Sequence, residues 1–175
     1  MQHLKQKVIS AVDKFMDRDS GLLRLKAHEQ AISHRIAVYL EAWFEDCKRL
    51  TVDCEYNKHL HAKKSGTFSY TDFKELKKQF RKCRCAACSN ASPEDDLKEK
   101  LFRPDIIVHS RGNDNANLLV VEIKTNVICP FDITKLRALT RPKANKGEYG
   151  YRLGLFLYFP KCQPHYNWIL PSAAN

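Results

Sequence analysis

Residues 103–124 constrain the fold of this chain more than any other stretch. Residues 103–111 and 117–124 are both rich in Ile, Leu and Val, and Gly112, Asn113, Asp114 and Asn115 lie between them. Two strands joined by a polar turn, a β-hairpin, are expected. In the second strand Leu119, Val121 and Ile123 alternate with Leu118 and Val120. Both faces are therefore apolar, which suits a covered strand at the centre of a sheet. Against this background stand three ionisable residues, Asp105, Glu122 and Lys124. Alternation places Glu122 and Lys124 on one face, and the hairpin brings Asp105 beside them. Two carboxylates and an ammonium are costly to bury without a partner. They can serve as a divalent-metal site with an attached cation, or as a salt bridge at the end of a sheet.

Helical spacing of Val8, Ile9, Val12, Phe15 and Met16 gives a short amphipathic N-terminal helix, broken by Asp19-Ser20-Gly21. A second helix is expected over residues 22–49, with Ile32, Ile36, Leu40 and Trp43 on its apolar stripe. Glu29 falls on that stripe and needs a partner, either deep in the fold or at an edge facing water and Lys26. Residues 51–57 read as the first core strand. An insertion of about residues 58–100 follows, with the basic residues Lys58, His59, His61, Lys63 and Lys64 and a helix near residues 71–82. That helix turns Phe73, Leu76 and Phe80 inward and Lys74, Lys77, Lys78 and Arg81 outward. After the hairpin, Pro130 opens another helix with Asp132 as its N-cap, Leu136 and Leu139 inward and Lys135 on the surface; Pro142 stops it. Residues 151–159 form the last core strand, and the tail with Trp168 and Ile169 can add an edge strand.

The pattern Pro104-Asp105…Glu122-x-Lys124, on adjacent strands within this order of elements, resembles the PD-(D/E)xK nuclease superfamily over roughly residues 22–160. The resemblance implies an α/β fold with a restriction-endonuclease-like core: a mixed four-stranded sheet in αβββαβ order, flanked by helices, within a single domain spanning residues 1–175. It also implies a metal-dependent endonuclease hydrolysing phosphodiester bonds of nucleic acid, DNA ahead of RNA. Asp105, Glu122 and the Ile123 carbonyl would hold Mg²⁺ or Mn²⁺. Lys124 would orient or help deprotonate the attacking water, and Glu29 would hold a metal-bound water or a second ion. Lys135 sits where members of the superfamily often place a phosphate contact. The alternative is a catalytically inactive nucleic-acid-binding protein, or a nuclease subunit brought to its target by a separate recognition protein.

Charge agrees with a polyanionic partner: 30 Lys and Arg against 20 Asp and Glu give a formal +10. Lys74, Lys77, Lys78 and Arg81 are the candidate phosphate contacts of the insertion, with Lys135 beyond it. No apolar run is long enough to span a bilayer and no signal-peptide pattern opens the chain, so a cytoplasmic protein without a membrane partner is expected. Double-strand cutting calls for two active sites, which makes a homodimer reasonable.

The seven cysteines are odd in number and unevenly spread, which suits thiols or metal ligands rather than a disulfide framework. Cys83, Cys85 and Cys88 are spaced to wrap one zinc ion. A fourth ligand must then come from elsewhere, with His59, His61 and Cys54 as candidates.

Overall fold

The computed structural model describes residues 1–56, 58–59, 62–96, 98–113, 115–143 and 148–171. In chain order the helices are α1 (Gln2–Asp19), α2 (Gly21–Arg24), α3 (Glu29–Glu41), α4 (Tyr70–Gln79), α5 (Ala86–Asn90) and α6 (Pro130–Thr140). The strands are β1 (Thr51–Cys54), β2 (Lys58–His59), β3 (Ala62–Lys63), β4 (Ser65–Thr67), β5 (Glu99–Leu101), β6 (Ile106–His109), β7 (Leu119–Lys124), β8 (Leu153–Tyr158) and β9 (His165–Ile169).

Five strands form one mixed sheet in the order β1-β6-β7-β8-β9. The hairpin pairs Ile106 with Val121 and Val108 with Leu119, antiparallel. β7 and β8 run parallel, joined by the helical crossover α6, as a parallel pair requires. The tail does add an edge strand: β9 pairs antiparallel with β8, so the sheet has five strands where the core reading counted four. Between β1 and β6 lies the insertion, with β2 paired to β3, β4 paired to β5, and helices α4 and α5.

Alternation along the strands divides the apolar core in two. Ile106, Val108, Leu119, Val121, Ile123, Leu153, Leu155 and Leu157 pack against α1 and α3 through Val12, Phe15, Ile32 and Ile36. Ile107, Val120 and Phe156 face the other way, against Ile133, Leu136 and Leu139 of α6 and Phe73 and Leu76 of α4. Each such side chain, once fully buried, contributes roughly 1.5–3 kcal/mol. This two-sided burial makes β7 a rigid platform for the charged residues at its end.

Three local readings are corrected. The single helix over residues 22–49 is interrupted: α2 ends after one turn and α3 begins at Glu29. Lys26 adopts φ +52°, while its N–H donates to the Leu23 carbonyl and that of Ala27 to the Leu22 carbonyl. This paired closure is a left-handed helix end that glycine normally marks, so a lysine there gives no sequence signal. The His28 imidazole then caps α3 by accepting from the Gln30 N–H at 3.3 Å. Past α3 the chain forms turns, and Trp43 is 47 % exposed rather than on a buried stripe. Finally, the N-cap of α6 is Cys129, and Asp132 lies inside the first turn.

Within the insertion, Gly66 sits directly beneath the buried Phe102 ring, and a Cβ built on it overlaps that ring. Gly66→Ala is expected to lower stability by about 1–3 kcal/mol, because the ring is enclosed and must shift. A denaturant melt measures this; an unchanged midpoint would show that the β4–β5 sheet moves aside freely. Lys64, from the basic tract, is also buried, donating to the Tyr151 hydroxyl at 2.9 Å and lying over the Tyr149 and Tyr151 rings.

Candidate active site

Where β6 and β7 part company, the backbone ladder gives way to a side chain. Proline at 104 has no N–H to donate, and β6 begins only at Ile106. Asp105 takes over the pairing: its Oδ2 accepts the Ile123 N–H at 2.6 Å, which seats the carboxylate against the Glu122–Lys124 segment. The Asp105 carbonyl meanwhile accepts from the Glu55 N–H at 3.1 Å, so the same residue also ties β1 to this end of the sheet.

From here an alternating row of charges runs across three elements. Glu29 Oε2 lies 2.8 Å from Lys124 Nζ, and its Oε1 accepts from the Thr125 N–H at 3.2 Å. Lys124 Nζ lies 3.5 Å from Asp132 Oδ2. Asp132 Oδ1 lies 3.4 Å from Lys135 Nζ, which in turn stands 2.7 Å from Glu122 Oε1. Four carboxyl groups, counting Asp105, thus gather around two ammonium groups. With the break at Lys26, Glu29 becomes the first residue of α3, from where it reaches Lys124.

The electrostatics of the row are uneven. Glu122 is 2 % exposed, and burial, reinforced by Asp105 and Asp132, pushes its pKa well above the ordinary carboxylate range despite the Lys135 ammonium. Lys135 approaches Oε1 closely but out of line for a hydrogen bond, leaving that buried oxygen without a properly directed donor. Burial also raises the pKa of Asp105, partly offset by the Ile123 N–H and Lys124. Asp132 goes the opposite way: burial works against its charge, but Lys135 and Lys124 prevail and hold its pKa down. For Lys124, burial opposes protonation, yet Asp132 and Glu29 outweigh it and raise the pKa above that of ordinary lysine. Lys124 is held as an ammonium.

Lys135 corrects the surface reading. It is 8 % exposed and locked between Glu122 and Asp132. An amphipathic reading of α6 leaves one side for water, but the sheet, α4 and α5 cover this helix from several directions. The helix expected near residues 71–82 ends at Gln79, so Arg81 lies just beyond α4; it is exposed, as are Lys74 and Lys78 on the helix. Lys77 instead turns back, its ammonium hydrogen-bonded to the Cys88 carbonyl and lying over the Phe73 ring.

Two recesses flank the segment that follows Lys124. One, of about 290 Å³, is lined by Arg81, Lys82, Asn126 and Tyr158 among others. A smaller one, of about 170 Å³, is lined by Arg24, Lys26, Lys161, Thr125 and Asn126 with apolar neighbours. Basic side chains therefore border the Thr125–Asn126 segment on both sides, which favours an anionic ligand there.

As for metals, the group of three or more metal-ligating side chains that the described residues bring together is made of thiols, with ligand atoms all within 4.8 Å of one another. Cys83, Cys85 and Cys88 are joined there by Cys129, and the four can hold a metal ion such as zinc. Of the fourth ligands considered from sequence, Cys54 stands exposed on β1 and outside the group, His59 is described in its backbone only, and His61 lies outside the described residues. Cys129 was missed because it lies 41 residues beyond Cys88 in sequence, and only folding brings it there.

No family model, characterised protein or solved structure matches the chain significantly. No helix among the described residues is long and apolar enough to cross a membrane.

Proposed function

We propose that the chain is a metal-dependent nuclease of the PD-(D/E)xK type, hydrolysing phosphodiester bonds of nucleic acid, DNA ahead of RNA. The observation that carries this reading is the hydrogen bond from the Ile123 N–H to Asp105 Oδ2, because it joins the two halves of the motif at one point of the sheet. The succession α3, β1, β6, β7, α6, β8, with β7 and β8 parallel, supports the restriction-endonuclease-like core that the motif implies.

Asp105 and Glu122, with the Ile123 carbonyl, are the residues that would hold Mg²⁺ or Mn²⁺. The donor set fits in two respects: its oxygens are hard, and the buried Glu122 and half-buried Asp105, both with raised pKa, gain from a nearby cation. Mg²⁺ bound by one or two carboxylates keeps several waters and so leaves room for a phosphate. When bound, such an ion activates water and neutralises charge developing on the phosphoryl oxygens. Lys124 contributes a fixed positive charge beside the reacting phosphate. Its raised pKa favours this electrostatic role over removal of a proton. Glu29 and Asp132 hold that ammonium in place from opposite sides. Lys135 is a positioning residue that balances Glu122. Arg81, Lys82, Arg24 and Lys161 would receive neighbouring phosphates, giving affinity without sequence choice.

The test is turnover of plasmid, linear duplex, single-stranded DNA and RNA with Mg²⁺ or Mn²⁺, against a chelator control. Metal-dependent cleavage of one of these polymers is the expected result. A second reading is a non-catalytic nucleic-acid-binding protein, favoured by the interlocked ion pairs, which also make sense as a purely structural charge cluster. Salt-sensitive binding with no turnover on any substrate or metal selects that reading.

The pH dependence follows from the two acids. Protons compete with the metal for Asp105 and Glu122, and their raised pKa values extend that competition above the ordinary carboxylate range near ~4. Activity at subsaturating metal is expected to climb with pH through the weakly acidic region, and excess metal should shift the rise to lower pH. A flat profile across that region would show that neither acid binds the ion.

A further inference from the structure

We propose that Cys83, Cys85, Cys88 and Cys129 bind a single zinc ion that fastens the inserted segment to the start of α6, and so holds Asp132 and Lys135 in the charged row. The spacing of the sulfurs suits one ion. Cys83 and Cys85 Sγ are 3.5 Å apart, Cys85 and Cys129 3.8 Å, and Cys88 and Cys129 3.6 Å. A Zn–S length of about 2.3 Å in a tetrahedron puts its sulfurs about 3.8 Å apart. A multi-iron cluster spreads its cysteines over separate irons and so sets them farther apart than this group, whose ligand atoms all lie within 4.8 Å of one another.

Surroundings of the sulfurs match a thiolate site. The first backbone N–H groups of α6 have no partner inside the helix, and those of Phe131 and Asp132 favour negative charge on the Cys88 and Cys129 sulfurs. Four thiolates around a divalent ion leave an excess of two negative charges. The positive end of α6 offsets part of this, as does Lys77, anchored on the Cys88 carbonyl. Some of the basic run in α4 thereby acquires a use other than gripping phosphate. Burial completes the picture: Cys83, Cys88 and Cys129 are all buried, and only Cys85 is exposed.

The consequence for the site is geometric. Cys129 is the N-cap of α6; Asp132 follows three residues later and Lys135 one turn further on. Two cysteines of the group flank the entry to α5 and a third lies within it, all on the insertion. An ion shared by the two segments therefore fixes the end of α6 that supplies both charges. The metal proposal stands without the nuclease reading, and its tests do not use cleavage.

Full-length protein purified from zinc-supplemented medium is expected to carry about one zinc per chain. In that state a thiol reagent should label Cys47, Cys54 and Cys162 but spare the other four, and chelation should expose all seven. Co²⁺ replacement should give the strong visible bands of a tetrahedral tetrathiolate. Cys129→Ser should lose those bands and Cys54→Ser keep them. On removing zinc from the wild-type chain, hydrogen exchange at residues 130–135 should quicken at least about tenfold, with β7 and β8 unchanged. This measurement decides the matter even where Cys129→Ser fails to fold. Any of four results overturns the proposal: all seven thiols reacting alike in zinc-replete protein, the absorption of an iron–sulfur cluster, full tetrathiolate bands in Cys129→Ser, or exchange at residues 130–135 that ignores the metal. Loss of protection throughout the sheet on chelation also overturns it, since the ion would then hold more than this junction.

Discussion

Lys124→Ala is expected to reduce cleavage by about a thousandfold while the sheet remains folded, the scale seen when a charge-stabilising donor is removed from a reaction centre. The side chain is half-buried, and its ammonium links Glu29 of α3 to Asp132 of α6. Its loss frees Glu29, which is itself half-buried and can turn to water, while Asp132 retains Lys135 at 3.4 Å. Both acids remain satisfied, so the effect on stability should be small. Asp105→Asn makes a companion test. The amide can still accept the Ile123 N–H through its oxygen, but it lacks the charge that would attract a divalent ion. Loss of cleavage in both variants, with circular dichroism and exchange protection intact, is the outcome that supports the assigned chemistry. Cleavage within about tenfold of wild type in either would separate that residue from the reaction. Binding measured alongside distinguishes the cases further, since neither change touches the basic borders of the two recesses.

For Lys135→Met the expected loss is in stability, about 3–5 kcal/mol at neutral pH, which is the scale for stripping the partner from a buried charge. Glu122 is enclosed and would keep no cation within ion-pair distance among the described residues. The burden depends on pH in a definite direction. With the folded pKa of Glu122 raised above its unfolded value, the native state binds more protons across the window between them. Stability therefore falls as pH rises through that window, and the variant should approach wild type under weakly acidic conditions. Adding Glu122→Gln to Lys135→Met should recover most of the loss and flatten the pH dependence, because a neutral amide is far cheaper to bury than a lone carboxylate. A deficit that is the same at every pH, or one under about 1 kcal/mol, would mean that water or a rearranged neighbour already compensates Glu122.

Much of the site is legible in the sequence because its three motif residues lie on one hairpin, where local rules govern geometry. Alternation and a polar turn suffice to put Asp105, Glu122 and Lys124 together, and the register of β6 with β7 agrees. Glu29 stood out for a simpler reason: an acid on an apolar stripe demands a partner, and Lys124 is that partner. Its true position at the start of α3 was hidden, since the helix break is carried by Lys26 rather than by glycine or proline. Its place after Pro130 marks Asp132 as a cap, whereas folding makes it a buried acid in the row. Helical periodicity puts Lys135 on the surface because it does not say how many neighbours surround a helix.

What the sequence determined by itself, then, is local: which segments form the strands of the main sheet, which side chains share a face, and that a charged triad interrupts an apolar hairpin. These follow from steric alternation and turn chemistry acting over a few residues. Tertiary structure alone decided the long-range pairings. It enclosed α6 so that Lys135 became the partner of Glu122, and it carried Cys129 to Cys83, Cys85 and Cys88. The reason is physical: a contact between residues far apart in sequence is fixed by how whole elements pack, and neither residue's neighbours encode that packing.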